Sequence, residues 1–167
     1  MKIDCITLFP EMFTPLEHSI IGRARKNGLI DFRTIFLRDF AINDYGQVDD
    51  APYGGEPGMV LRPEPLAKAI RSTGVRQNKG TVIYLTADGT PFTHQIAKEL
   101  SQKEHLVLVC GHYKGIDERI RESEIDMEIS IGDFVVSGGE LPAMVLTDAV
   151  GRLLEGALGN KESGETD

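Results

Sequence analysis

The chain is predicted to adopt an α/β fold, a mainly parallel sheet with helices on both faces. Two features carry this. Thr81–Leu85 and Leu106–Cys110 are apolar at nearly every position, the mark of strands buried on both sides. Between and after them lie helical patterns at Pro63–Ser72, His94–Gln102 and Glu118–Glu124, the alternation of βα units. At 167 residues the chain fits one domain with a proper core.

In order, Lys2–Phe9 reads as a strand that Pro10 ends. Met12–Leu16 and Ser19–Lys26 follow as short helices, with Asn27-Gly28 as the stop. Ile30–Leu37 alternates, with Ile30, Phe32, Thr34 and Phe36 on one side, and reads as a second strand. The polar stretch Asp39–Arg62 is long for a loop in a compact domain, and its glycines with Tyr53 and Met59 favour an ordered, functional one. After the helix Pro63–Ser72, the strand Thr81–Leu85 ends in the loop Thr86–Gly89, and Thr93 caps the next helix. Leu106–Cys110 ends in Gly111–Asp117, and Met127–Ser130 is a short strand before Ile131–Gly139. Leu141-Pro142 opens the last apolar helix, Ala143–Leu154. The tail Glu155–Asp167 is glycine-rich and acidic, without apolar periodicity.

Hydrophobic content of 41% and charged content of 26% are ordinary for a globular protein, and no apolar run is long enough to cross a membrane. The start Met1–Phe9 carries an acid and alternates, unlike a signal peptide. Cys5 and Cys110 lie in apolar runs without C-x-x-C spacing, as structural thiols of a reducing cytoplasm do. A net charge of −8 argues against indiscriminate nucleic-acid binding but leaves a specific RNA substrate open. The basic clusters Arg23, Arg25, Lys26 and Arg33, Arg38 read as solvated faces.

The sequence has no G-x-G-x-x-G, P-loop, nucleophile elbow or H-E-x-x-H, and His18, His94, His105 and His112 are not at metal-ligand spacing. What remains are loops at strand ends: Leu85–Gly89, Gly111–Asp117 and Ile131–Gly139. Ligands of open α/β sheets bind at such carboxyl ends. Gly132, Gly138 and Gly139 are expected to free the backbone for direct contact with a ligand. Tyr84, Leu85, Tyr113, Ile116, Phe134, Val136 and Leu141 offer an apolar lining suited to a neutral heteroaromatic such as adenine.

These residues carry a resemblance. Leu8–Phe13, Val48–Val60, Gly111–Arg119 and Ile129–Ala143 are similar to the motifs of the bacterial tRNA (guanine-N1-)-methyltransferase family, TrmD, of the SPOUT class, in the family's order and across essentially the whole chain. The resemblance implies a deep trefoil knot in the carboxyl-terminal half, a homodimer with sites between subunits, and S-adenosylmethionine bound in the knot. By position the cofactor contacts fall on Tyr84, Leu85, Gly111, Tyr113, Gly115, Ile131, Gly132, Asp133, Phe134, Val135, Val136, Gly138, Gly139 and Pro142. A Gly139→Val change is then expected to fill the ligand's space. Substrate binding falls to Gly54, Gly55, Gly58 and Met59.

Guanine N1 carries a proton at neutral pH, so its methylation needs a base, and O6 needs a cation or a magnesium ion as charge builds there. The resemblance assigns the base to Asp167 and the cation to Arg152; without it, Arg152 reads as a surface cation at a helix carboxyl end. No residue is assigned to a metal. Three departures stand out: Lys114 where many relatives have Glu, Glu56 for a loop glycine, and Glu155 for a common proline. Residues 1–154 are expected to form the catalytic domain and 155–167 the start of a linker, the helical tRNA-gripping domain being absent. Such a chain is expected to bind the cofactor yet methylate poorly. The rival readings are a knotted enzyme for ribosomal RNA or ribose and a nucleotide-binding module without chemistry.

Overall fold

A computed structural model describes residues 1–52 and 57–158. Five strands form one sheet in the order β2-β1-β6-β5-β7, and every neighbouring pair is parallel. They are β1 (Lys2–Thr7), β2 (Asp31–Phe36), β5 (Thr81–Pro91), β6 (His105–Cys110) and β7 (Met127–Ser130). The short strands β3 (Asp49–Asp50) and β4 (Val60–Leu61) pair antiparallel beside it. The helices are α1 (Ser19–Lys26), α2 (Pro63–Ser72), α3 (His94–Ser101), α4 (Glu118–Glu124) and α5 (Glu140–Gly151), with 3-10 turns at Pro10–Glu17 and Leu37–Phe40.

The twofold side-chain period of each strand divides the core into two layers. Ile3, Cys5, Ile83, Leu106 and Leu108 pack toward α1, α3 and α5 on one face. Ile6, Val82, Tyr84, Val107 and Val109 pack toward α2 and α4 on the other. β6 lies in mid-sheet and is buried along its length, which is why its sequence does not alternate. Each fully buried Leu or Ile of these layers contributes about 1.5–3 kcal/mol. The thiols of Cys5 and Cys110 are free and buried, 3.5 Å apart.

Most elements lie where the sequence places them, and the Thr93 hydroxyl does accept from Ile96 N at the start of α3. One segment differs. Thr86–Gly89 is not a terminal loop: β5 continues through it to Pro91, and pairing with β7 slips between Leu85 and Thr90. Hydrogen bonding to β7 resumes after the bulge, so the polar Thr86-Ala-Asp-Gly89 stretch is held as a kink in a strand. The segment after α5 also stays with the fold as far as Ala157, which is buried in the first layer. Among the described residues no helix is long and apolar enough to cross a membrane.

Candidate functional site

The bulged middle of β5, the carboxyl ends of β6 and β7 and the start of α5 enclose a cavity of about 220 Å³. Its walls are Tyr84–Ala87, Gly111–Gly115, Ile129–Gly132, Phe134–Gly139 and Pro142. All the expected cofactor positions line it except Asp133. Ile116 and Leu141 do not line it: Ile116 is buried in the second core layer, and Leu141 is exposed on the outer side of α5. Thr86, Ala87, His112, Lys114, Ile129, Ser130 and Ser137 also line the cavity, beyond the positions read from the sequence.

Backbone makes up much of the wall, because the glycines leave no room for anything else. A Cβ on Gly111 would stand 2.8 Å from the Tyr84 ring, and one on Gly139 would stand 2.5 Å from Cys110 Cα. Gly139 has an ordinary helical φ of −75°, so close chain approach, and not an unusual backbone angle, demands glycine there. Gly115 is the opposite case, with φ +113°. Tyr113 adopts φ +60°, a costly angle for a bulky residue, of a kind that concentrates at ligand sites.

Tyr84 forms a braced wall. Arg121 lies 5.7 Å over its ring and is itself held by Glu128 at 2.7 Å and Asp88 at 3.2 Å. Burial pushes the Tyr84 phenol up, so the wall is neutral at physiological pH. Asp88 is held below the usual carboxylate range, chiefly by the Thr86 hydroxyl, despite some desolvation. At the rim, Phe134 and Val135 are 55% and 86% exposed, apolar surface left uncovered beside a concave site.

Behind the cavity, Glu140 is 1% exposed at the first turn of α5. It accepts from Thr7 Oγ1 at 2.6 Å and faces His112 Nε2 at 2.8 Å through both oxygens. Sequence pattern assigns no role to His112 or to Glu140. The pairing spans β1, the Gly111 loop and α5, and no local spacing reveals it.

The segment Gly58–Leu61 runs along the cavity's edge. Lys114 N donates to Met59 O at 2.9 Å, Leu61 N to Gly115 O at 3.0 Å and Asp117 N to Leu61 O at 3.1 Å. A Cβ on Gly58 would press on the Lys114 side chain. Gly58 and Met59 are thus brought to the cavity loop from the far end of a long polar segment.

The family profile described as tRNA (guanine-1)-methyltransferase TrmD matches residues 1–167. The chain belongs to the TrmD family. It is 52% identical over 168 residues to the tRNA (guanine-N(1)-)-methyltransferase of Staphylococcus aureus (strain MRSA252), covering 100% of this chain and 68% of that protein. Against the protein of the same name from Clostridium beijerinckii it is 52% identical over 163 residues, 98% of this chain and 67% of the other. The crystal structure of tRNA (m1G37) methyltransferase from Aquifex aeolicus superposes with a TM-score of 0.88 at 41% identity, covering 96% of this chain and 72% of that one.

The remaining TrmD-type positions fall elsewhere. Gly54, Gly55 and Asp167 lie outside the described residues. Arg152 caps the carboxyl end of α5, whose amino end at Gly139 abuts the cavity. A 12-residue helix is about 18 Å long, so the two ends of α5 are far apart within one chain. Among the described residues no group of acidic, His or Cys side chains is arranged to hold a metal ion.

Proposed function

We propose that this TrmD-family chain is a tRNA (guanine(37)-N1)-methyltransferase that binds S-adenosylmethionine in the glycine-walled cavity and works as a homodimer. The observation that carries the cofactor reading is the convergence of Tyr84–Leu85, Gly111–Gly115 and Ile131–Gly139 on that cavity. Its lining fits an adenosine ligand: bare main chain that a ligand can approach closely at Gly111, Gly115 and Gly132, and apolar contacts from Leu85, Ile131, Phe134, Val136 and Pro142. When bound, S-adenosylmethionine supplies an electrophilic methyl group. A TrmD-type knot is supported by the seating of the last loop on the end of β6, where Gly139 N donates to Gly111 O at 2.9 Å.

The protein's own groups have the proton and the charge to manage. Asp167 takes the N1 proton as base, and Arg152 stabilises the charge that builds on O6, with magnesium a further candidate for that charge. Gly58 and Met59 lie at the edge where the guanine must enter. Arg152 stands a helix length from the Gly139 end of its own cavity, so it serves the cavity of a partner subunit. α5 is apolar on its outer side as well, with Leu141 and Val145 48% and 47% exposed one turn apart. Large apolar residues left exposed on a helix mark a surface that a partner covers, and a second copy covers it here.

The test is nucleoside mass spectrometry of tRNA transcripts with guanine or adenine immediately 3′ of the anticodon. Each is incubated with S-adenosylmethionine and either this chain or one extended to the length of its relatives. The expected product is 1-methylguanosine, from the guanine transcript alone. Ribose methylation, or no methylation by the extended chain, contradicts the proposal.

A further inference from the structure

The Glu140–His112–Thr7 cluster is costlier than packing requires. A carboxylate 1% exposed is several kcal/mol unfavourable unless compensated, and an apolar residue of the same shape serves packing as well. Here the compensation is complete: the Thr7 hydroxyl, the His112 ring and the amino end of α5 all favour the anion. Burial raises the Glu140 carboxyl, but the bonds from His112 and Thr7 outweigh it and leave it below the usual glutamate range. The group is ionised at neutral pH and has no proton to donate. The donor between them is therefore His112 Nε2–H, and in the neutral ring Nδ1 keeps its lone pair.

The ring is held on its other sides too. Phe9 lies 5.1 Å away, tilted against it, and Tyr113 meets it edge-on at 6.3 Å. Gly138 is bare where a Cβ would strike the His112 ring. His112 lines the cavity, and among the described residues Nδ1 has no hydrogen-bond partner. We propose that Glu140 is a positioning residue, which fixes the His112 tautomer so that Nδ1 accepts a hydrogen bond from an N–H or O–H of the S-adenosyl ligand. This rests on the reading of the cavity as the S-adenosyl site.

The substitution His112→Gln separates this role from a structural one. A glutamine amide reaches the position of Nε2 and still donates to Glu140, but it has nothing at the position of Nδ1. S-adenosylhomocysteine, which carries the donors of the cofactor, is titrated calorimetrically into the whole chain. Thermal melting and ring ¹⁵N spectra of histidine-labelled protein are recorded without ligand. The expected results are an Nε2–H tautomer in the wild type, and an affinity about tenfold lower in His112→Gln at an unchanged melting temperature, the size of one hydrogen bond. Glu140→Gln should lose the single tautomer and weaken affinity to a similar degree. An Nδ1–H tautomer in the wild type, or wild-type affinity in His112→Gln, overturns the proposal. If the wild type binds no S-adenosylhomocysteine, the site reading falls and the ligand half of the proposal with it. The ring spectra, taken without ligand, still decide whether Glu140 sets the tautomer.

Discussion

At Gly139 the space denied to a side chain is filled by protein. A Cβ would meet Cys110 Cα at 2.5 Å and Gly111 N at 2.9 Å, both main chain and neither able to yield alone. Gly139→Ala should therefore destabilise the fold, by about 1–3 kcal/mol as for other overpacked sites. Gly139→Val should cost more, and its loss of ligand binding should accompany loss of structure. This replaces the expectation that a side chain there fills only ligand space. Denaturant midpoints check it, and a wild-type midpoint for Gly139→Ala would refute it. Glu140 makes a prediction in pH. A carboxyl depressed in the folded state adds stability that is complete above the ordinary glutamate range, near pH 4.3, and is lost as pH falls through and below it. Glu140→Gln should flatten the acid limb of the unfolding free energy, and a limb as steep as in the wild type would show that the carboxylate is not stabilised by its partners. The sequence revealed that glycine was needed at 138 and 139, but not why: the objects that exclude a Cβ, Cys110 and His112, are distant in the chain.

α5 and β5 show where pattern reading works and where it stops. α5 carries apolar residues on its outer as well as its inner side, and a sequence pattern identifies such a helix without telling which face meets the sheet. The structure turns Leu146 and Val150 inward and leaves Leu141 and Val145 outside. Val145→Glu should then convert the proposed dimer to monomer with little effect on the fold of the subunit; sedimentation velocity at micromolar concentration distinguishes this from a variant that stays dimeric. β5 was readable only to Leu85, because the bulge carries polar residues whose pairing partner, β7, lies some forty residues on. The capping of α3 by Thr93 was readable, since it depends on residues three apart. Replacing Thr93 by Ala should lower stability by about 1 kcal/mol, seen as a shifted denaturant midpoint.

For the molecule as a whole, the fold class was visible in strand composition, and the cavity loops after β6 and β7 were visible as glycine-rich strand ends. The separation of Arg152 from the cavity follows from the last apolar helix, which the sequence pattern also gives and which runs from Gly139 at the cavity to Arg152. That separation makes a sharp prediction for the proposed dimer. In a chain extended to the length of its relatives, Arg152→Ala should lower turnover by about 10²–10³. So should a cavity-blocked chain such as Ala87→Trp, at an exposed lining position, with Arg152 intact. Mixing the two inactive proteins should restore methylation, because a mixed dimer has one cavity paired with one Arg152. A site formed within one chain would gain nothing from mixing. The most direct measurement of the central claim is calorimetric titration of this chain with S-adenosylhomocysteine, beside Ala87→Trp. Saturation at one ligand per chain, with affinity lost in Ala87→Trp at an unchanged melting temperature, is the expected result. Absence of binding heat, or equal affinity in the two proteins, would contradict the assignment of the cavity.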